Sequence, residues 1–362
     1  MHRIRNIFVA AAGVALMAAG AAQAADSRYQ VKDLVSDVPG LAAHTDGHLV
    51  NPWGIAFNPN GFVWVANNGT GTSSLYDGNG NVNPTLPFIT IPGVGGNPGT
   101  PTGIVFNGSN DFAVTPGNPG RFIFATQDGT IAAWSPAVDP THAIQVVAPT
   151  GASYTGLALT ANGNANFLYA ADFLSGRIDV FDKAFQPVTM PGGFVDPHLP
   201  AGYAPFNIQN IQGDLYVAYA KREEGEAEEI AGAGLGIVDV FDANGNLVRR
   251  VASHGKLNAP WGLVLAPATF GRFADRLLVG NFGDGTINAY DAHSGEFKGQ
   301  LRGTDNKPLR IEGLWGLAFG NGILSQPTST LFFAAGINDE EHGLYGSITP
   351  VAGGPGNNDD GD

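Results

Sequence analysis

Short apolar bursts recur along this chain, each closed by a turn rich in Asn, Gly or Pro. Gly54-Ile55-Ala56-Phe57, Val63-Trp64-Val65-Ala66 and Leu277-Leu278-Val279-Gly280 are examples. Runs of this length between turn formers predict β-strands, and no stretch shows the apolar period of a long amphipathic helix. The bursts are also ordered. Six segments open on a small motif: Pro52-Trp53-Gly54, Pro101-Thr102-Gly103, Tyr154-Thr155-Gly156, Pro205-Phe206-Asn207, Pro260-Trp261-Gly262 and Leu314-Trp315-Gly316. Their third residues lie 49, 53, 51, 55 and 54 positions apart. Each opening runs into a first strand, a turn and a second strand such as Phe122-Ile123-Phe124-Ala125 or Leu331-Phe332-Phe333-Ala334.

A third strand ends in aromatic-Asp in four copies, Tyr76-Asp77, Phe181-Asp182, Phe241-Asp242 and Tyr290-Asp291, and in Trp134-Ser135 in the second copy. An Asp there can accept from the backbone two residues on and hold the turn that follows, so these acids read as structural. A weaker fourth strand follows, Phe88-Ile89-Thr90-Ile91 in the first copy. Four short strands on a period near ~50 residues predict an all-β, six-bladed β-propeller with four-stranded blades. Tandem immunoglobulin-like domains would repeat at roughly 100 residues. The sixth copy stops after Gly343-Leu344-Tyr345-Gly346-Ser347-Ile348, and Tyr29-Gln30-Val31-Lys32-Asp33-Leu34-Val35 precedes the first copy with no blade of its own. The N-terminal strand is therefore expected to complete blade six, closing the ring and two open sheet edges.

The two ends differ from the body. Arg3 and Arg5, an apolar run over 7–22 and the site Ala22-Gln23-Ala24 make a secretory signal peptide over 1–24. The propeller is expected over 25–349 and a disordered acidic tail over 350–362, where Gly, Pro, Asn and Asp replace the apolar residues. Cleavage removes two Arg and no acid, moving the net charge from −14 to −16. Such a surface with no basic stripe excludes nucleic-acid binding. No later stretch reaches membrane-spanning length, so no membrane insertion follows cleavage, and a secreted or periplasmic monomer is expected. With no cysteine and 43% apolar residues, stability must come from a large core and not from disulfides.

In a propeller, the loops entering each first strand share a face with the loops joining strands two and three. Most of the polar chemistry falls on that face. The expected ligand-binding face comprises Asn51, Trp53, Thr102, Asn207, Trp261, Trp315, Asp339, Glu340 and His342, for a small molecule or a protein partner. The tryptophans, at equivalent openings, are expected to pack near the inner rim. At the ends of the second strands, Asn67, Asp172 and Asn281 form the candidate metal set. One carboxylate and two amides can ligate a hard cation such as calcium, or they can bond neighbouring loops and water in the channel. Both readings stand at this stage.

Other motifs carry less. Asp128-Gly129 and Asp284-Gly285 are hairpin turns, the acidic run over 223–229 is a solvated loop, and Gly232-Ala233-Gly234-Leu235-Gly236 lacks the helix that a phosphate loop needs. No H-E-x-x-H spacing supports zinc, no G-x-S-x-G elbow is present, and no catalytic set is legible.

Long strings add a resemblance. Leu49-Val50-Asn51-Pro52-Trp53-Gly54-Ile55-Ala56-Phe57-Asn58-Pro59, Gly280-Asn281-Phe282-Gly283-Asp284-Gly285-Thr286-Ile287-Asn288, Gly313-Leu314-Trp315-Gly316-Leu317-Ala318-Phe319-Gly320-Asn321-Gly322 and Asn338-Asp339-Glu340-Glu341-His342-Gly343-Leu344 resemble a family of secreted bacterial proteins of unassigned function. The blades are more distantly similar to NHL-repeat and gluconolactonase-like six-bladed propellers. In the lactonases, Glu, Asn and Asp hold an axial divalent cation that polarises a lactone. That resemblance implies a comparable place for Asn67, Asp172 and Asn281, although Gly54 and Ile55 follow Trp53 where a Glu would be needed. Two function classes follow: a binding propeller using its loop face, and a metal-dependent hydrolase or lactonase.

Overall fold

The computed structural model describes residues 28–351. Within them the repeat becomes six sheets of four or five strands, with a small hairpin beside blade two. Blade one is representative, its strands Pro52–Phe57, Val63–Asn67, Thr72–Tyr76 and Phe88–Thr90 lying side by side in sequence order. Each sheet is sandwiched between two others. The second strands Val63–Asn67, Phe122–Thr126 and Leu277–Asn281 are therefore apolar up to their last residue instead of alternating, and are buried along their whole length.

Steric contact explains the glycine of the repeat opening. A Cβ at Gly103 would meet Leu157 N of the next blade at 2.3 Å, and one at Gly316 would meet Trp53 O of blade one at 2.4 Å. Gly54, Gly156 and Gly262 approach the following blade in the same way, so only glycine lets the innermost strands come this close. Blade four substitutes Asn207, whose side-chain amide donates to Trp261 O of blade five (2.8 Å). The contacts pass from each blade to the next, and the sixth returns to the first. The ring is closed.

Closure uses the strand expected for it. Arg28–Ser36 pairs antiparallel with His342–Val351, placing Val31 opposite Ile348 and Ser36 opposite Leu344. Tyr29, 1% exposed, anchors the closing strand by donating from its hydroxyl to Phe270 O (3.2 Å). The last strand runs to Val351, two residues past the boundary expected at 349. The expected signal peptide and the rest of the tail lie outside the described residues. Among the described residues no helix is long and apolar enough to cross a membrane.

The third-strand acids hold turns, as their position suggested. Asp77 Oδ1 accepts from Asn79 N and Asn81 N, and Asp182 and Asp242 repeat the arrangement on their own turns.

Candidate functional site

Three tryptophans at the blade openings meet on the ring axis. Trp53 stacks on Trp315 with ring centroids 3.5 Å apart, and Trp261 meets both edge-on. Phe206 of blade four reaches Trp53 of blade one at 6.5 Å. Those blades are opposite one another in a six-membered ring, so this contact must cross the axis. With Phe173, the rings form an apolar plug in which Trp53, Trp261 and Trp315 are 3%, 5% and 0% exposed. Two of the three indoles also bond inward, Trp261 Nε1 donating to Thr155 O (3.0 Å) and Trp315 Nε1 to Asn51 Oδ1 (3.1 Å), whereas Trp53 Nε1 is buried without a partner. Thr102 and Asn207, also expected on the ligand face, are buried staples between blades, Thr102 Oγ1 donating to Tyr154 O (2.7 Å).

The candidate metal residues serve three separate blade corners. Asn67 donates to Thr72 Oγ1 and Ser74 Oγ. Asp172 Oδ1 accepts from Ser153 N and Ser175 N, while its Oδ2 sits 3.2 Å from Arg177 Nη2 without hydrogen-bond alignment. Asn281 accepts from Asn258 N and donates to Lys256 O and Thr286 Oγ1. The three share no hydrogen-bond partner, and the plug fills the axis they would surround. Strand alternation gives the reason: successive residues face opposite ways. The following residues, Phe173 and Phe282, point to the axis, whereas Asp172 and Asn281 turn to their own corners. The set as placed does not fit one shared ion, and no step is derived through one. Among the described residues, no group of His, Cys, Asp and Glu is arranged to hold a metal.

Beside the plug the loop face opens. A cavity of about 550 Å³ lies between the blade-four insertion, the second turn of blade five and the loops of blade six. Phe282 lines it and stacks on Trp315 with centroids 4.0 Å apart, so the plug supports the cavity. Glu229, Asp284, Glu312, Asp339 and Glu340 line it, with Arg310 as the single cation. Arg310 is tied to the rim by its bond to Asp284 O (3.0 Å).

Local structure fixes the acids. Glu229–Ile230 is a short strand paired with Lys221 and Arg222, which turns the end of the acidic run inward. Asn338, Asp339 and Glu340 have φ of 55°, 52° and 66°. Three consecutive left-handed non-glycine residues are costly, and here the loop is held from both ends. Glu312 Oε1 accepts from Asn338 N (3.0 Å), and Asn51 Nδ2 donates to Glu340 Oε2 (2.6 Å). Asn51 thus joins plug to cavity, one side-chain atom on each. Burial pushes the Glu229 carboxyl up to about 7, reinforced by the charges of Glu340 and Glu228 and opposed by a backbone N–H. Burial also raises Glu340, with Glu228 and Asp339 adding to it and the Asn51 amide opposing.

His342 stands apart from this pair. Its Nδ1 lies 2.7 Å from Asp37 Oδ2, and Asp37 Oδ1 accepts from Gly343 N (2.8 Å), so the imidazole is oriented at the end of the closing strand. Asp37, Arg310 and Phe282 carry no sequence motif that marks them as site residues, and Glu229, expected to be solvated, lines the cavity instead. A second cavity of about 590 Å³ runs along the outer edge of blade three. Its charges, Arg177 and Asp179, are bonded to each other at 2.6 Å, leaving no acid or base poised there.

No family model matches the chain. "Uncharacterized protein R648" of Acanthamoeba polyphaga mimivirus is 37% identical over 310 residues, covering 83% of this chain and 75% of that protein. "Uncharacterized protein L690" of the same virus is 36% identical over 312 residues, covering 83% and 80%. These relatives are viral, so the bacterial, secreted character expected of the family does not come from them. Among solved structures, streptogramin B lyase superposes with a TM-score of 0.53 at 14% identity, covering 91% of this chain and 99% of that one. A structural genomics protein of unknown function from Bacteroides thetaiotaomicron VPI-5482 gives 0.54 at 12% identity, covering 89% and 76%. At these identities the likeness shows the propeller fold alone.

Proposed function

The chain belongs to the family of the uncharacterised mimivirus proteins R648 and L690, and from that premise we propose that it is a binding propeller taking a small organic cation in its acidic cavity. The observation that carries this reading is the half-buried pair Glu229 and Glu340 lining one cavity. Their carboxyls are raised first by burial and then by neighbouring acids, with no ion pair of either among the described residues to supply a compensating charge. An ammonium between them would supply that charge. The Phe282 ring offers a π-face on which such a cation can rest. Arg310 is pinned to the rim, and the cavity lining contains no nucleophile paired with a base, which favours binding over hydrolysis. Export through the leader over 1–24 belongs to the same reading, and N-terminal sequencing of mature protein should begin at Ala25.

Benzyltrimethylammonium and putrescine are suitable probes. At least one should raise the melting temperature of the wild-type protein, more at pH 8 than at pH 5, because protonated carboxyls attract no cation. Glu340→Gln should weaken the response and Phe282→Ala should weaken it for the aromatic probe alone. Absence of any shift with both probes at pH 8 would remove the reading.

A calcium-dependent hydrolase or lactonase remains the second reading. Its support is limited to Asn67 Oδ1 and Asp172 Oδ2, each buried without a hydrogen-bond partner. These lie at separate blade corners, so an ion would be held at one corner and not by the three residues together. Elemental analysis and a melt with and without chelator test it. Stoichiometric calcium together with a chelator-sensitive melt that Asp172→Asn abolishes would sustain it.

A further inference from the structure

On the outer side of blade five, a cavity of about 250 Å³ is lined by Lys256, Arg272, Arg302 and Gln300 with the rings of Phe273 and Phe297. The chain carries 18 basic and 32 acidic residues, yet this cavity gathers three of the former and none of the latter. Among the described residues none of the three cations enters an ion pair. Arg302 donates to Asn306 O (2.7 Å), and Arg272 lies over the Phe273 ring at 5.5 Å. Like charges held together without a counterion repel one another, and the folded state tolerates them here at the surface.

The floor is built as well. Gly299 has φ 136°, a conformation that side-chain-bearing residues rarely adopt, and a Cβ there would come within 3.1 Å of Phe273 Cζ. The outer strand Phe297–Gln300 is thereby kept bare over a buried ring. Phe297, 42% exposed, is one of the few large apolar side chains left in solvent. The volume corresponds to about eight waters at roughly 30 Å³ each, room for an oxyanion and a ring-sized body.

We propose that this cavity binds a small organic anion: a phosphate- or sulfate-type head carried on a compact apolar body. The guanidinium groups of Arg272 and Arg302 suit an oxyanion by their forked donors. Lys256 adds a point charge and Gln300 a neutral donor, while the phenyl rings receive the apolar part. The site is separate from the acidic cavity in ligand charge and in place, so its test is independent of the function proposed above.

Calorimetric titration of the mature protein with phenyl phosphate should give one-to-one binding. Inorganic phosphate, lacking the ring, should bind about tenfold more weakly, and benzyl alcohol, lacking the charge, should fail to saturate. The double variant Arg272→Gln/Arg302→Gln should lose about tenfold or more in affinity while melting like wild type, since both side chains are exposed. Arg310→Gln, in the other cavity, should bind phenyl phosphate normally. Cosedimentation with phosphatidylglycerol vesicles and not with phosphatidylcholine vesicles would assign the same head chemistry to a lipid; free protein with both assigns it to a soluble ester. Absence of phenyl phosphate binding, or equal binding by the double variant, overturns the proposal.

Discussion

Asp46 and Glu229 are two acids on the same face of the ring with opposite fates. Asp46, at the corner of blade one, is partly buried, which alone would raise its carboxyl. Donors from His48 N, the Tyr76 hydroxyl and the His48 ring outweigh that and bring it below the ordinary range. Glu229, in the blade-four insertion, is buried with far less compensation and lies near 7. The same residue chemistry is structural where donors converge on it and available where they do not. This separates the loop face into a closed half over blade one and an open half over blades four to six.

The strongest way to test that division is to remove what lies beneath both halves. Trp315→Ala should destabilise by roughly 3–5 kcal/mol, the usual cost of truncating a buried aromatic, read from urea unfolding. It should also loosen the cavity, because Phe282 rests on that ring. A melt close to wild type would show that the plug fills space without supporting the ring.

Asp46→Ala should come next. It strands the Tyr76 hydroxyl, which now donates to Asp46 Oδ2 at 2.7 Å, and the His48 amide, at a cost of about 2–3 kcal/mol for buried groups left unpaired. Glu229→Gln should have the smallest effect, with the opposite sign at high pH. The folded-state carboxyl is raised from 4.5 to about 7, so the unfolded chain loses its proton first as pH rises. Stability from this group therefore falls between about pH 4.5 and 7 and stays low above. The variant should flatten that limb and melt higher than wild type at pH 8. Asp239, raised to about 6 by burial against the pull of Arg250, adds a similar decline ending lower, so some slope below pH 6 should persist in the variant. An unchanged pH profile would place Glu229 among ordinary solvated acids.

The architecture was readable because its cause is local and repeated. Five of the six blade openings use a residue without a Cβ where neighbouring inner strands touch, so a glycine such as Gly54 or Gly316 in that motif announces a blade. The closing strand was readable from the missing fourth strand of the last copy. The site was harder. Asn67, Asp172 and Asn281 do stand at the ends of second strands, but after Asp172 and Asn281 it is the next residue, Phe173 or Phe282, whose side chain joins the axial plug. Glu229 looked solvated because nothing in its run of acids reveals that residues 229–230 would pair with 221–222. Asp37 and His342 are 305 positions apart, joined only because ring closure brings the two ends of the chain together.

That closure also sets an order on the protein's birth. The strand Arg28–Ser36 leaves the ribosome before blade one is made, and its partner His342–Val351 only after the inner strands of all six blades. Blades one to five can assemble as they emerge, each on its predecessor, but the closing strand must wait with one edge unpaired until His342–Val351 follows. Pairings so distant in sequence are slow to form, and waiting edges invite other strands. Whatever holds that segment apart in the meantime decides how much of the chain reaches a finished ring.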